Sequence, residues 1–189
     1  MKDKIFVYKS MFGRLYSLIS SPDKTWQQID EEDSQGKLFS TFFVPLLLLA
    51  AALLFIGKII GIQHINIITA ALQTGCMIAA FWAAFVICKE ICKYATNNIF
   101  QAEVSDIQLD KIINYVLSII LTVKVVAEFL DFQFFKIFWL YSVFMFWKVG
   151  EAILKQDDDK KRTVFLLANT LSVICIPLII EHILKLFVK

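Results

Sequence analysis

The sequence predicts an all-α, polytopic membrane helix bundle: five transmembrane helices preceded by amphipathic cytoplasmic helices. Three observations carry that reading. Hydrophobic residues make up 58% of the chain, 18 of them Phe, and only 19% of residues are charged, which leaves too little polar surface to coat a soluble globule. The apolar residues are gathered into runs of membrane length. The basic residues between those runs alternate between many and few. A formal net charge of +2 is too small to point to nucleic acid, so the first partner implied is the lipid bilayer.

Residues 1–37 read as a cytoplasmic N-terminal region. Lys2, Lys4, Lys9 and Arg14 are spread among apolar residues instead of preceding a clean apolar core, so 1–20 does not read as a cleavable signal peptide. Ile5, Tyr8, Phe12, Leu15, Tyr16 and Ile19 recur at three- and four-residue spacing. Two placements fit that stripe equally: a helix lying on the anionic inner leaflet, or one packed on the bundle. The stretch SPDKTWQQI follows. Ser20 or Ser21 suits the N-cap, Pro22 the first helical position, and Asp23 the positive end of the helix dipole. Trp26 and Ile29 share one face of this short helix. Trp26 is therefore expected as an interfacial anchor at headgroup level, setting how the chain enters its first span.

The spans follow in 38–189. Segment 38–57 is twenty residues without a charge, about 30 Å as a helix. Segment 65–88 is longer and also uncharged, so it spans with some tilt. Segment 112–130 carries Lys124 and Glu128. Segment 132–150 leaves only 137–147 uninterrupted between Lys136 and Lys148, which would have to snorkel to opposite faces. Segment 164–180 completes the set and ends at Glu181. Lys and Arg number six before the first span, three in 89–111 and five in 148–162, against one in 58–64, one at Lys136 and two at the end. The positive-inside rule then places the N-terminus in the cytoplasm and the C-terminus outside. The membrane would be the inner membrane of a bacterial source, or the ER or Golgi of a eukaryotic one.

Ser21, Pro22, Trp26 and Ile29, an acidic linker, and a first span with an early proline, Pro45 in FVPLLLL, together with five hydrophobic segments, resemble the Yip-domain (Ypt/Rab-interacting) membrane protein family, in its prokaryotic-type branch. The resemblance covers about residues 10–185. It implies a five-span helical bundle with a cytoplasmic N-terminus. Eukaryotic members are linked to Rab GTPases, vesicle traffic and membrane shaping. This chain lacks the Asp-Leu-Tyr-Gly-Pro type signature that those members carry before the first span, so Rab binding is not carried over to it.

Lys124 and Glu128 stand four apart, on neighbouring turns of one face. Ionisable residues inside a span point by default to function, a proton or ion path for instance. Counted from Ile112, however, they lie about 18 Å and about 24 Å along the helix. The pair is thus expected near the outer headgroups, as a structural, snorkelling pair. Asn114, Ser118 and Glu128 fall on one arc of the third span. Asn66, Thr69 and Gln73 make a second polar stripe on the second span, continued by Met77, Ala80 and Ala84. Both stripes read first as helix-packing faces, and otherwise as a hydrophilic pathway. Pro45 and Pro177 can each kink a helix.

Cys76, Cys88, Cys92 and Cys175 do not form a disulfide framework, and Cys88-x3-Cys92 has no nearby His to make a zinc site. His64 and His182 are isolated, and 156–162 (QDDDKKR) lacks the glycine and terminal Glu of a calcium loop. No metal or cofactor is expected. No nucleophile elbow, His-Glu-x-x-His or P-loop occurs, so the chain is not expected to be an enzyme. The aromatics of 132–147 form a ridge for lipid or for a second copy of the chain. The preferred functional reading is a non-enzymatic membrane scaffold or adaptor that engages a partner on the cytoplasmic face or shapes the bilayer. The alternative is a small-molecule or ion transporter or channel using Lys124, Glu128, Asn114, Ser118 and Gln73.

Overall fold

A computed structural model describes residues 2–31, 38–60, 66–100, 105–130, 132–152 and 159–188. The described residues are helical and contain no strand. Helices α1 (Lys2–Ser20) and α2 (Pro22–Glu31) precede α3 (Val44–Ile60), α4 (Ile67–Ala95) and α5 (Asp106–Phe129). A 3₁₀ helix, Gln133–Leu140, then leads into α6 (Tyr141–Ala152), and α7 (Asp159–Leu186) follows. Four continuous helical stretches are long and apolar enough to cross a membrane: Phe39–Ile60, Ile67–Asn98, Asp106–Phe129 and Asp159–Leu186. His64 and the acidic residues 32–33 lie outside the described residues.

The spans run past the expected ends. The third begins at Asp106, where Ser105 and Gln108 form a reciprocal capping box. The second continues from α4 through a π-helical turn, Thr96–Phe100. The first opens with a π-helical turn, Phe39–Phe43. Pro45 explains it: proline cannot donate to the carbonyl of Thr41 and its ring crowds that carbonyl, so the preceding turn widens. The N–H of Val44 accordingly reaches Phe39 O.

The fourth apolar segment is not the single α-helix expected over 132–150. It doubles back from α5, with Phe132 N–H on Ala127 O, and runs as 3₁₀ helix before becoming α-helix at Tyr141. The sequence of this stretch accounts for the break. Phe134, Phe135, Phe138 and Trp139 crowd successive turns, and aromatic side chains lose rotamer freedom in an α-helix. A tight turn leaves little room to begin the helix earlier. Trp139 Nε1 donates to Ile120 O at 3.2 Å and holds the 3₁₀ helix along α5.

Helix α5 is the hub. Two thirds (67%) of its apolar window is buried, against 33% for each of the other three spans, so the other elements surround it and face outward. Lys89–Asp110 at 2.6 Å and Lys93–Asp106 at 2.9 Å tie the end of α4 to the start of α5. At the opposite end Lys124 of α5 meets Glu181 of α7. Helices α5 and α7 therefore run in one direction and α4 in the other. The most extensive helix pair is α4 with α7. The buried residues of α4, among them Ala70, Thr74, Met77, Phe81, Ala84, Cys88 and Cys92, recur at spacings of three and four with small residues interspersed, which permits close approach.

The N-terminal helices are part of this packing. Met11, Leu15, Leu18, Trp26 and Ile29 are all buried. Thr25 Oγ1 donates to Ser17 O at 3.0 Å, closing α2 on α1. Tyr141 OH donates to Leu18 O at 3.1 Å, and Lys148 pairs with Asp23 at 2.9 Å, so α6 holds both.

Candidate functional site

The charged side chains that matter converge where α3, α5 and α7 end and α4 begins. Lys124 is on α5 with Glu128 one turn on; Glu181 and Lys185 occupy the same relation on α7; Lys58 comes from α3 and Gln73 from α4. Lys124 Nζ contacts Glu128 Oε1 and lies 3.1 Å from Glu181 Oε2. Glu181 Oε1 takes Lys185 Nζ at 2.6 Å. Lys58 Nζ donates to Gln73 Oε1 at 2.9 Å. Lys124 and Glu181 each keep only 5% of their side-chain surface exposed. Glu128 keeps 23%.

This arrangement corrects the expectation for Lys124. It does not snorkel past the bundle; its ammonium stays inside, held between two carboxylates. Reading along one helix finds Glu128, because an i,i+4 spacing is visible in sequence. Glu181, 57 positions away, is brought in by the parallel course of α5 and α7. Two signals did exist: Glu181 ends an uncharged run at the same level as Lys124, and Lys185 follows it at i+4. The chemistry available here is electrostatic clamping. Charges taken from water must be paired, and the ion pairs join the ends of α5 and α7 by doing so, while the Lys58–Gln73 bond joins α3 to α4.

A second polar group lies deeper. Asn114 and Ser118, expected together, are both fully buried on α5. Asn114 Nδ2 donates to Asp110 O at 2.7 Å, Ser118 Oγ to Asn114 O at 2.6 Å and Thr122 Oγ1 to Ser118 O at 2.7 Å. A run of such bonds to the carbonyl four residues back lets a polar stripe satisfy itself inside one helix. Among the uncharged polar side chains of the spanning helices, Asn114 Oδ1, Thr74 Oγ1, Asn169 Oδ1 and Thr170 Oγ1 are buried without a hydrogen-bond partner. Asn169 and Thr170 escaped the sequence reading, although an adjacent Asn-Thr inside an apolar span is a visible signal.

The stripe expected on the second span is placed differently. Asn66 is exposed and caps α4, accepting from Ile68 N–H at 3.0 Å. Thr69 and Gln73 are half-buried. The face of α4 buried against protein passes through Ala70 and Thr74 and then through Met77, Ala80 and Ala84, the expected continuation of the stripe. Polar residues on this helix are drawn to its capped end and to Lys58, while small residues take the helix contact.

The residues that carried the family resemblance have structural work. Ser21 forms the junction between α1 and α2, its carbonyl accepting from the N–H and hydroxyl of Thr25 at 3.1 and 2.8 Å. Pro22 opens α2. Trp26, expected at headgroup level, is 0% exposed. Its ring meets Tyr115 edge-on at 6.1 Å, and Phe42 meets the same Tyr115 at 4.9 Å. Ile29 is buried with it, and Pro45 sits behind the π-helical turn.

Near the α6–α7 junction, Arg162 stacks on Trp147 at 4.1 Å and pairs with Glu151 and Asp159. Gly150 leaves space for that stack, since a Cβ there would come 3.1 Å from Arg162. The aromatic ridge is split between two environments. Phe132, Phe134, Phe138 and Phe144 are exposed, while Trp139 and Phe146 are buried. All four cysteines are free thiols. Among the described residues no group of His, Cys, Asp and Glu is arranged to hold a metal ion. No family model, curated protein or solved structure matches the chain.

Proposed function

We propose that the chain is a non-enzymatic integral membrane scaffold of Yip-domain type, whose docked N-terminal helices present an apolar edge to the inner leaflet or to a cytoplasmic protein partner. One observation carries the reading. Helix α1 buries Met11, Leu15 and Leu18 while leaving Phe12, Tyr16 and Ile19 at 51%, 73% and 58% exposure. The helix thus has an inner apolar face spent on the bundle and an outer one still open. Both placements read from the sequence are served at once. Mutating Phe12 and Tyr16 together to Glu removes the open edge without touching the docked face. Melting in detergent is expected to shift by no more than about 2 °C, while recovery of crosslinked partner, or tubulation of anionic liposomes, falls roughly tenfold or more. Unchanged recovery and unchanged liposome shape would remove the proposal's support.

In this reading the segment after α5 is the fifth crossing. Eight residues of 3₁₀ helix and twelve of α-helix extend about 34 Å, enough for the hydrocarbon layer. The N-terminus is then cytoplasmic and the C-terminus outside. Reporter fusions test it: one after residue 155 is expected to report the cytoplasm and one at the C-terminus the outside, and the reverse pattern, residue 155 outside and the C-terminus in the cytoplasm, would show that 132–152 does not cross.

Transport is the second reading, favoured by the unpaired buried oxygens of Asn114, Asn169, Thr74 and Thr170. Proteoliposome flux that disappears with Asn114→Leu, the fold being intact, would promote it over the scaffold.

A further inference from the structure

Several side chains on the outer face of α6 are pinned by polar contacts from other helices. Trp147 Nε1 donates to Glu151 Oε1 at 2.9 Å, and Arg162 of α7 lies over the Trp147 ring at 4.1 Å. Lys148 joins Glu151 at 3.1 Å to Asp23 of α2 at 2.9 Å, and its ammonium stands 5.7 Å from the centre of the Phe144 ring. Tyr141 packs on Phe144 at 5.5 Å while its hydroxyl donates to Leu18 O on α1. Between these side chains and α7 runs an open groove of about 490 Å³, lined by Leu140, Val143, Phe144, Trp147 and Lys148, with Leu166 of α7 buried at its floor. Because Trp147 and Phe144 are held from outside the groove, its walls are set in advance of any occupant.

The course of the groove matches one leaflet of a bilayer. Leu140 to Lys148 is eight residues, about 12 Å along the axis, close to the roughly 15 Å half-thickness of the hydrocarbon core. Lys148, the one charged residue among the described lining residues, lies four residues before the end of α6 at Ala152. On the proposed crossing of 132–152, on which this inference rests, the Lys148 end stands at the cytoplasmic headgroups and the Leu140 end near the midplane. We propose that the groove binds the acyl chains of one phospholipid of the cytoplasmic leaflet, with its headgroup beside Lys148. A helix of a second copy fits poorly. Spread over its length, the volume gives a cross-section of about 40 Å², roughly half that of the narrowest helix with its side chains. Helix contacts in lipid also favour small residues, and none of the described lining residues is Gly, Ala, Ser or Thr. A thin, flexible chain between large apolar walls gains dispersion contacts on several sides that it lacks in bulk lipid. The rival account is ordinary solvation by freely exchanging lipid, which predicts no preference for the groove.

The full-length protein is reconstituted in phosphatidylcholine vesicles containing a trace of phosphatidylcholine with a diazirine at mid-chain, irradiated, and mapped by proteolysis and mass spectrometry. Leu166 and Leu167 are adjacent and chemically identical; Leu166 floors the groove, whereas Leu167 is exposed outside it. Adducts on Leu166 are expected to exceed those on Leu167 about fivefold, because a held chain spends longer there. Val143→Trp fills the groove and should cut Leu166 labelling to the Leu167 level or below while leaving Leu167 unchanged. Should that variant fold poorly, Leu140→Trp, at an exposed position, narrows the inner end and should lower Leu166 labelling about threefold. Labelling of Leu166 no greater than that of Leu167, or Leu166 labelling that survives the folded tryptophan variants, overturns the proposal in favour of bulk solvation. Protein–protein crosslinks through Phe144 in place of lipid adducts would overturn it in favour of a second copy. Failure of the crossing would show separately, as the reversed pattern of the residue-155 and C-terminal fusions, whereas failure of the lipid site leaves those fusions unchanged.

Discussion

Replacing Lys124 with methionine is expected to destabilise the protein by about 3–5 kcal/mol, the cost of removing one member of a buried ion group and leaving its carboxylates short of a cation. The methionine fits the space, so the loss is not one of volume. It comes from Glu181, whose carboxylate is 5% exposed and keeps Lys185 as its remaining partner. For a chain of this size the melting temperature in detergent should fall roughly 10 °C. The companion experiment separates charge from packing. Lys124→Met combined with Glu181→Met removes an acid with the base and should recover most of the loss, because an apolar pair of similar size often replaces a buried ion pair at little cost. If the double variant melts as low as the single one, the cluster is not an electrostatic clamp. If the single variant melts like wild type, the carboxylates reach solvent and the burial argument fails. Neither outcome depends on a substrate, so the test addresses the fold link of the argument before any functional one.

How far the sequence leads can be judged from these same residues. The first, second, third and last spans were legible because an apolar run of helical length with at most two charges has few other homes, and the Ser105 and Asn66 caps only lengthened or trimmed them. The fourth segment was not, since hydrophobicity marks the run while the 3₁₀ turn depends on the return from α5 and on Trp139 finding Ile120 O. Side-chain faces were read less well than spans. In lipid the outside of a helix is as apolar as its contact face, so the stripe through Asn66, Thr69 and Gln73 gave no information about the buried Ala70 and Thr74. The Lys124–Glu128 pair is local and was found; the Glu181 contact is non-local and was not. Trp26 failed for a related reason. Interfacial and buried tryptophans look alike in sequence, and only Tyr115, some ninety positions on, decides between them.

That tryptophan carries the last prediction. Trp26→Ala should undock α2, and with it α1, while the spanning helices persist. Truncating a buried tryptophan costs about 3–5 kcal/mol, and the contacts left to oppose undocking are Ile29 on the same face, Met11, Leu15 and Leu18 buried on α1, the Lys148–Asp23 pair at 2.9 Å, and the Tyr141–Leu18 bond at 3.1 Å. Asp23 is 65% exposed in its side chain, and exposed pairs contribute about 1 kcal/mol or less. The apolar anchor therefore dominates the docking. Limited trypsinolysis after Arg14 and Lys24 should accelerate at least tenfold, and amide exchange should rise over residues 11–29 while α5 stays protected. Trp26→Phe is the control: it keeps an edge-on ring contact with Tyr115 and gives up only the indole N–H, which has no hydrogen-bond partner, so cleavage should stay within about threefold of wild type. Loss of protection in α5 together with α2 would mean that the N-terminal helices and the bundle fold as one unit. The amphipathic edge of α1 would then be a fixed part of the membrane domain, unable to leave it for a partner.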